Sequence, residues 1–429
     1  MIQAGFATTD ITPEIGAHIP GGFAPRESTG TVDPLQARAC VIAGADETVA
    51  FVGVDAVSLR FDTIDKARAQ IESACGIAPR NVLIAASHTH SGGPANDVLG
   101  TDSDDAYCDR IAAAIAASVT AAHQGRVDAE IGSASAPCEG WGFNRRWLMR
   151  SGGEGSNPGK NNEDKIEPAG PVDPDVAVIA VRSTDGKLLG AVGNYTCHCT
   201  VVGGTKFSAD YPAYWQKALR ERTSDDFTLV FANGACGDIN QIDFANPDSK
   251  ESGVEWAERM GQALADATMA CVESARFASD AKVASAHGGV WLSYRRPTPG
   301  ELTNARRLLD SDEPWHSKKW QARDLVRLAE AIGDTTGFDC AVDVLRVGDA
   351  AVAAAPWQPF CEFGLKIKTG SALKPTLVAA FANGMVGYVP TPQGFEGGGY
   401  EPTLCRGSKL QPDSGGRIVE ETTRLLGMV

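Results

Sequence analysis

The sequence lacks basic runs and is acidic: 39 lysines and arginines stand against 54 aspartates and glutamates, a formal net charge of −15. This balance argues against nucleic acid or an anionic membrane surface as a partner. No apolar stretch reaches the roughly 18–20 residues that span a bilayer, so no membrane segment is expected. The first residues, MIQAGFATTDITPEIG, lack a basic region followed by an apolar one. The expected location is therefore the cytoplasm.

The numbers of cysteines and histidines indicate which kinds of site the chain can contain. The 11 cysteines are odd in number and scattered without a repeated spacing, which argues against a secreted disulfide framework. Only 7 histidines occur in 429 residues, so two that stand close together are conspicuous. Hydrophobic residues make up 43% of the chain and charged residues 22%, as in a globular protein with a large core.

Segments typical of strands and of helices alternate along the chain. This pattern predicts an α/β fold with a mixed β-sheet core flanked by helices. No linker or internal repeat interrupts it, so residues 1–429 are expected to form one domain, with a homo-oligomer left open. The glycine, asparagine and proline content of residues 149–171 predicts a long mobile loop. Residues 298–333 are typical of a helical pair, with Thr298 as cap and Glu301 at the capping-box position.

The run ASHTHSGG places His88 and His90 one residue apart, at the end of a predicted strand and before a glycine turn. Residues two apart on a strand point to the same side, so both imidazoles can face one pocket. Neutral imidazole is the commonest protein ligand of transition metals. The structural alternative is that one histidine is satisfied in the core and the other belongs to the turn.

Several predicted strands end in polar turns flanked by glycine. They end at Asp55 and at the runs SHTHSGG, NYTCHCTVVGG, FANGACGDIN and FANGMVGYVPTPQGF. In α/β proteins, pockets form where strand ends meet loops. Five such turns that carry histidine, aspartate, asparagine and tyrosine therefore predict one convergent site.

Short motifs follow one another along the chain in an order that resembles the catalytic domain of the neutral/alkaline ceramidases. They are DITPEIG, SHTHSGG, NRRW, the histidine of NYTCHC, SADYP, GACGDIN and GYVPTPQGFEGGGYE, and they extend from about Phe6 to the C-terminal helix. Each motif alone is weak, whereas seven in order are specific. The resemblance implies the fold of that domain and a zinc amidase, since the family cleaves the amide of N-acyl sphingosine.

The resemblance also implies the ligands of one Zn²⁺ ion. The two histidine ligands of the family fall on His88 and His198, and its tyrosine ligand falls on Tyr400 in EGGGYE. Its glutamate ligand falls on Gln358, in APWQPFCEFG. A neutral amide oxygen is a weaker ligand for Zn²⁺ than a carboxylate.

This departure at the metal leaves two outcomes open: either metal affinity is lower, or another carboxylate such as Glu362 or Asp55 compensates. A second departure concerns the nucleophile. The family serine falls on Asn240, in GDINQ, and asparagine cannot form an acyl-enzyme. Asn240 can still donate a hydrogen bond to an oxyanion or orient a substrate, although a turn residue that binds its own backbone is an equal alternative.

Three further roles complete the predicted site. His90 is the candidate general acid or base, because imidazole titrates near neutrality. Arg145 matches a family arginine that reaches the substrate, with Arg146 as a rival and a surface ion pair as the alternative. Asp210, in SADYP, is expected to cap a helix rather than to act as an acid.

The thiols of Cys197 and Cys199 flank His198. On a strand they point away from the side that the histidine faces, so buried thiols rather than zinc thiolates are expected.

The function expected from these residues is metal-dependent hydrolysis of an amide or ester bond in a small soluble substrate. The ion would activate water directly, because the serine is missing. Ceramide cleavage requires access to membrane lipid and a groove for two alkyl chains, for which the sequence shows no membrane-binding segment. The alternatives are a true N-acylsphingosine amidohydrolase, and a non-catalytic metal or small-molecule binding protein that kept the pocket and lost the chemistry through Gln358 and Asn240.

Overall fold

The structure, a computed structural model, describes residues 1–429. The strands are β1 Ile2–Asp10, β2 Gly30–Thr31, β3 Gln36–Ala43, β4 Thr48–Val54, β5 Val82–Ala86, β6 Val127–Pro137, β7 Phe143–Asn144, β8 Arg146–Met149, β9 Glu154–Ser156, β10 Lys165–Pro168, β11 Asp175–Ser183, β12 Leu188–Tyr195, β13 Lys206–Phe207, β14 Thr228–Asn233, β15 Ile239–Asn240, β16 Val283–Ser293, β17 Gly337–Val347, β18 Ala350–Ala354, β19 Gln358–Pro359, β20 Thr376–Ala379 and β21 Tyr388–Val389. The α-helices are α1 Phe61–Cys75, α2 Asp105–Gln124, α3 Tyr211–Arg222, α4 Val254–Ser274, α5 Pro299–Leu309, α6 Ser317–Ile332, α7 Cys361–Gly370, α8 Pro392–Gly397 and α9 Ser414–Leu426.

The main sheet has eight strands in the order β14-β12-β11-β6-β1-β3-β4-β5. Neighbours are antiparallel except at the two ends, where β4 pairs with β5 and β12 pairs with β14 in parallel. Helix α1 connects the first of these pairs and α3 lies between the strands of the second, because parallel strands need a crossover. His88 follows β5 and His198 follows β12. Each histidine therefore lies just beyond the carboxyl end of a strand that belongs to a parallel pair.

The two ends of the main sheet approach each other. Gly53 of β4 packs on Phe231 of β14 so closely that a Cβ atom on Gly53 would lie 2.6 Å from the Phe231 carbonyl oxygen. Beyond the strand ends, Thr89 and Cys199 form a parallel bridge. The two histidine-bearing segments thus run side by side, although their strands lie near opposite edges of the sheet.

A second sheet of four strands, β16-β17-β18-β20, packs on the main sheet. The core between them takes side chains from both sheets, including Phe51 and Val230 on one side and Leu345 and Val352 on the other. Helices α1 to α4 cover the outer face of the main sheet, and α7 and α9 cover the outer face of the second. Each apolar face is therefore buried against the next layer, in the order helix, sheet, sheet, helix. This architecture confirms the predicted mixed α/β fold.

The segment after β20 joins the two sheets next to the histidines. The Ala380 amide donates to the Asn233 carbonyl at 2.9 Å, and the Asn383 amide donates to the Ile84 carbonyl at 2.7 Å. The Asn383 side-chain oxygen in turn accepts from the Ile84 amide at 3.0 Å. Phe381 lies within this segment and is held between the ends of β14 and β5.

Several short-range sequence features correspond to the ends of helices in the structure. Helix α1 ends where Gly76 adopts the left-handed conformation, with φ of 67°, and α2 ends before Gly125. The helical pair is α5 and α6, and both hydrogen bonds of the capping box between Thr298 and Glu301 are formed. These local signals depend on a few neighbouring residues, and for that reason the sequence reveals them.

Residues 149–171, predicted to form a long mobile loop, contain two short strands. They contribute β9 and β10, which flank β8 in a three-stranded antiparallel sheet. The glycines at 152, 153 and 159 adopt positive φ and make the turns between short strands. Lys160 forms an ion pair with Glu251 at 2.6 Å. This long-range contact attaches the segment to a distant part of the chain, and composition cannot reveal it.

Strands β1 and β16 are not indicated by the sequence pattern. Both are only half-buried along much of their length, and β16 contains the pair Gly288 and Gly289, so neither shows a clear alternation of apolar and polar residues. None of the nine helices combines the length and the hydropathy that crossing a bilayer requires.

Candidate metal centre and active site

His88 is held in an unusual backbone conformation at the end of β5. Its φ is 68°, in the left-handed region that non-glycine residues rarely adopt. Its amide donates to the Ala56 carbonyl at 2.9 Å, and its ring stacks on Phe381 with centroids 4.0 Å apart. Nδ1 lies 2.6 Å from the Val57 carbonyl oxygen. Since a carbonyl can only accept, Nδ1 carries the proton and Nε2 keeps its lone pair.

His198 and His90 are fixed in the same tautomer. The Nδ1 of His198 donates to the Ile239 carbonyl at 2.9 Å, and the Nδ1 of His90 donates to the Gly21 carbonyl at 3.0 Å. A Cβ atom on Gly21 would lie 2.7 Å from the His90 ring, so only glycine allows this approach. In both residues the Nε2 atom therefore carries the lone pair, as a metal ligand requires.

The three free nitrogens converge. One ligand atom from each of His88, His90 and His198 lies within 4.8 Å of the others, and the Nε2 atoms of His88 and His90 are 3.3 Å apart. Two nitrogens bound to one tetrahedral zinc ion lie about 3.3 Å apart, given a Zn–N distance of about 2.05 Å. Three lone pairs that face each other repel, whereas a cation between them is attracted to all three. The histidines therefore fit a divalent metal ion.

Burial keeps these imidazoles neutral. Desolvation lowers the pKa of His88 and of His198 well below the ordinary histidine value. It also lowers the pKa of His90 to about 4. At neutral pH all three rings are therefore unprotonated at Nε2, as metal ligation requires.

Gln358 lies beside the same three rings. Its position is set by β19, in which Gln358 pairs with Tyr388 of β21. Its Nε2 lies 3.2 Å from Nε2 of His88 and 3.1 Å from Nε2 of His198. In this orientation the amide donates to two imidazoles, and rotation by half a turn about the last torsion would present its oxygen instead.

Neither of the two carboxylates considered as compensators joins the histidines. Asp55 is buried in an ion pair with Arg38 at 2.9 Å, and also accepts from a backbone amide. Glu362 pairs with Lys366 one helical turn away on α7, at 2.6 Å. Neither carboxylate is therefore available as a ligand at the histidines.

Arg145 enters the site from the start of β8. Its Nη1 lies 3.2 Å from Nε2 of His198, and its Nη2 donates to the Tyr388 hydroxyl at 3.0 Å. Its Nε donates to the buried carboxylate of Glu401 at 2.9 Å. Arg145 is therefore not a surface arginine, and the carboxylate of Glu401 fixes its direction.

Arg146 binds the other oxygen of Glu401, at 2.5 Å, but turns away from the histidines. It also pairs with Glu154 at 2.6 Å and donates to the Gly398 carbonyl. Burial opposes ionisation of Glu401, yet the two arginines hold its pKa below the ordinary value. Arg146 thus holds the chain around Tyr400, whereas Arg145 is the arginine that contacts a histidine of the cluster.

Tyr400 shares one cavity of about 260 Å³ with His88 and His90. Its wall includes His88, His90, Gln358, Tyr388 and Tyr400. The Tyr400 ring packs edge-on against Tyr388, with centroids 5.7 Å apart. The structure thus places the predicted tyrosine in the same cavity wall as His88 and His90, and it adds Tyr388.

Asn240 is not part of the cavity wall. Its side-chain oxygen accepts from the Ile242 amide at 3.0 Å, and its nitrogen donates to Asn157 at 2.9 Å. Both ends of the amide are therefore occupied, and the first of these bonds is the turn contact that was the alternative to an oxyanion role.

The remaining predictions concern residues around the site. The Asp210 side chain accepts from the Tyr211 amide at the start of α3, which confirms the cap. Cys197 and Cys199 are buried free thiols, as expected. They lie outside the cluster of His88, His90 and His198 that could hold a metal ion.

Two site residues were missed by sequence reasoning. Tyr388 lies in the motif GYVP, which was noted, but its contact with Arg145 bridges 243 positions of sequence. Phe381, in FANGMVGY, supports His88 from a distant part of the chain. The only available signal was that both belong to a glycine-containing turn after a predicted strand.

The fold and the buried histidine cluster define an α/β protein with a candidate metal centre at its strand ends. No protein-family model and no curated protein matches the chain. Among solved structures, the neutral ceramidase from Pseudomonas aeruginosa superposes with a TM-score of 0.76 and 17% sequence identity, over 99% of this chain and 74% of that one. A ceramidase complexed with C2 gives a TM-score of 0.74 and 16% identity over the same shares. The chain thus has the fold of a neutral ceramidase.

Proposed function

We propose that the protein is a zinc-dependent hydrolase that cleaves an amide or ester bond in a small soluble substrate. The observation that carries the proposal is the convergence of three imidazole Nε2 atoms whose Nδ1 protons are held by backbone carbonyls. The fold shared with two ceramidases, which are amide hydrolases, supports the same chemistry. A cytoplasmic location, a single domain and a homo-oligomer stay predictions.

The ion would be held by His88, His90 and His198, with the oxygen of Gln358 and the Tyr400 hydroxyl as further ligands. The 3.3 Å spacing to His88 supports His90 as a ligand rather than as the acid or base that its titration range suggested. When bound, a zinc ion polarises a carbonyl and activates water for attack.

The residues of the chain supply orientation and charge stabilisation. Because the Tyr388 hydroxyl accepts from Arg145, its own proton is free for an oxygen in the cavity that Tyr388 lines. Burial raises the pKa of Tyr388, so the phenol stays protonated. A substrate carbonyl that develops negative charge would therefore receive a hydrogen bond from a donor that is already oriented.

A non-catalytic binding protein is the second candidate, and one observation favours it. Asn240 occupies the position of the family serine, and its amide is used in a turn. The cavity and the histidines would then retain a metal or a small molecule without turnover.

Metal analysis and turnover assays distinguish the two candidates. We expect purified protein to contain one zinc ion per chain and to hydrolyse members of a panel of small amides and esters, with loss of activity in chelator and recovery on adding zinc. Stoichiometric zinc without any turnover would favour the binding protein. Absence of zinc together with turnover that resists chelator would contradict the proposal.

Single substitutions separate ligands from acid–base residues. His88→Ala and His198→Ala should lose most of the bound zinc, while His18→Ala, at an exposed histidine, should keep it. His90→Ala should lose zinc as well if it is a ligand. If His90→Ala keeps its full zinc content but loses turnover, His90 is a general acid or base and not a metal ligand.

A further inference from the structure

The cavity that contains the histidines has a second polar wall, formed by the chain after α8. Cys405 and Ser408 exchange backbone hydrogen bonds and close a tight turn. The turn brings Arg406 and Lys409 to the wall of the cavity, together with Asp324 of α6. The hydrolysis proposed above assigns no role to this wall.

Lys409 is half-buried and has no acidic partner. Its ammonium donates to the carbonyls of Val386 and Arg406, at 2.5 and 2.9 Å. Both of its hydrogen-bond partners are backbone carbonyls, so no carboxylate pairs with it. An ammonium has three N–H donors, so one donor and the whole positive charge are left without an anionic partner. Burial lowers the pKa of Lys409 to about 8, which still leaves it protonated at neutral pH.

Arg406 contributes another unused donor. Its Nε donates to Asp324 at 2.6 Å and its Nη1 to Asp97 at 3.1 Å, while its Nη2 has no hydrogen-bond partner. The carboxylates of Asp324 and Asp97 also line the cavity, and both are engaged, because Asp324 also accepts from the Arg406 amide and Asp97 from Ser103. These two carboxylates therefore face Arg406 and Ser103, and Lys409 is the cation of this wall without an acidic partner.

The metal centre adds positive charge to the same cavity. Arg145, which is paired with Glu401, lies 3.2 Å from His198, and Gln358 supplies an amide where a carboxylate would have cancelled one charge. The charge of a divalent ion would therefore be offset only by ligands such as the Tyr400 hydroxyl if it ionises. Both walls thus favour an anionic occupant over a neutral one.

We propose that the substrate carries a carboxylate and that Lys409, supported by Arg406, binds it while the scissile amide lies at the histidines. The simplest compounds of this kind are N-acyl amino acids. This inference rests on the proposed hydrolysis, since it names the substrate class for that site.

The test compares acids with their uncharged isosteres in zinc-loaded protein. A panel of N-acetyl and N-hexanoyl amino acids is assayed beside the corresponding carboxamides, which have the same shape without the charge. A hydrogen bond to a charged group predicts about 10- to 100-fold higher kcat/KM for the acids. Lys409→Met should raise KM for the acids by a similar factor and should change the KM of the carboxamides much less. Lys409→Arg should restore the preference.

Lys319→Met is the matched control. Lys319 also donates to two backbone carbonyls, those of Ser311 and Glu313, but lies outside the cavity wall, so its substitution should leave the preference unchanged. If Lys409→Met does not fold, Lys409→Gln retains two N–H donors for the carbonyls and removes the charge. Equal kcat/KM for acids and carboxamides in the unsubstituted protein, or equal losses for both in the Lys409 variants, would overturn the proposal.

A binding measurement separates this inference from the proposed function. If the protein binds zinc but hydrolyses nothing, the proposed hydrolysis is wrong. Thermal unfolding with added N-acetylglycine or N-acetylglycinamide still tests whether the wall with Lys409 binds a carboxylate. A larger rise in Tm with the acid, lost in Lys409→Gln, supports a carboxylate site. Equal rises, or none, overturn it.

Discussion

The rings of His88 and Phe381 are stacked, with centroids 4.0 Å apart and planes inclined by 13°. Both residues have left-handed backbone conformations, with φ of 68° and 53°. Such conformations cost about 1–3 kcal/mol each and persist only where the surroundings enforce them. The two turns thus face each other in strained conformations, and the ring of Phe381 fixes the plane of the histidine that follows β5.

Phe381→Leu is expected to weaken metal retention by about tenfold, in the range found for residues that orient ligands. Leucine is buried as well as phenylalanine but offers no flat face to the imidazole. Zinc release to a competing chelator measures the effect, and Phe277→Leu, which changes an aromatic residue packed against the distant Gly132, is the control. Unchanged zinc affinity in Phe381→Leu would show that the stacking does not orient His88.

Gln358→Glu is expected to hold zinc more tightly. The change conserves volume and adds one negative charge next to the Nε2 atoms of two histidines. The added charge should also raise the pH at which the attacking water loses its proton, so the activity profile should move to higher pH. Zinc competition and a pH–rate profile measure both effects. Gln393→Glu, which makes the same change of charge at an exposed position, is the control. If the two variants have the same zinc affinity and the same pH–rate profile, Gln358 is not part of the metal site.

Asn240→Ala is expected to lower stability by about 1 kcal/mol and to leave kcat unchanged, because its amide binds a turn rather than the cavity. Asn246→Ala removes a comparable turn contact, to the Asp248 amide, at an exposed position, and should cost less. Urea unfolding and steady-state kinetics measure the two effects. A large fall in kcat without loss of stability, or a burst phase that reports an acyl-enzyme on any side chain, would contradict this assignment.

The pH dependence of stability can be tested at Asp33. Burial raises the pKa of Asp33 from its ordinary value to about 6. Between about pH 4 and pH 6 the carboxyl is ionised in the unfolded chain and protonated in the folded one, so the folded state binds more protons. Stability from this group therefore falls as pH rises through that window.

Asp33→Asn should remove this fall. Its oxygen can accept from the Ala209 amide and its nitrogen can donate to Ser208, the two present partners of Asp33. Urea unfolding at pH 4.5 and pH 8 should show that the variant gains stability relative to the unsubstituted protein as pH rises. A constant difference between the two proteins at both pH values would show that Asp33 ionises normally.

Local patterns in the sequence were sufficient for much of the fold. The αL glycine after α1, the capping box of α5 and the alternation of strands and helices are encoded within a few residues. The packing of β14 on β4 was not accessible, because it depends on the absence of a side chain at Gly53 opposite a strand almost 180 residues away. Curvature of a sheet arises from many such contacts and has no local signature.

The candidate site shows the same division. The motif order and the spacing of His88 and His90 led to the histidines, because these residue types are rare in the chain. The tautomers could not be predicted, since they depend on the carbonyls of Gly21, Val57 and Ile239. The turn role of Asn240 was among the alternatives, but its partner Asn157 lies 83 residues earlier.

The donors at the histidine cluster come from residues 88 to 358, on segments that follow β5 and β12 of one sheet and β18 of the other. Because these segments lie far apart in sequence and belong to both sheets, an ion bound there would cross-link the two sheets. Separation of the layers would release it, and binding would oppose that separation by mass action, by about 2.7 kcal/mol at a hundredfold excess over Kd. Resistance of the protein to proteases should therefore rise and fall with free zinc, and zinc release would report the opening of the whole molecule.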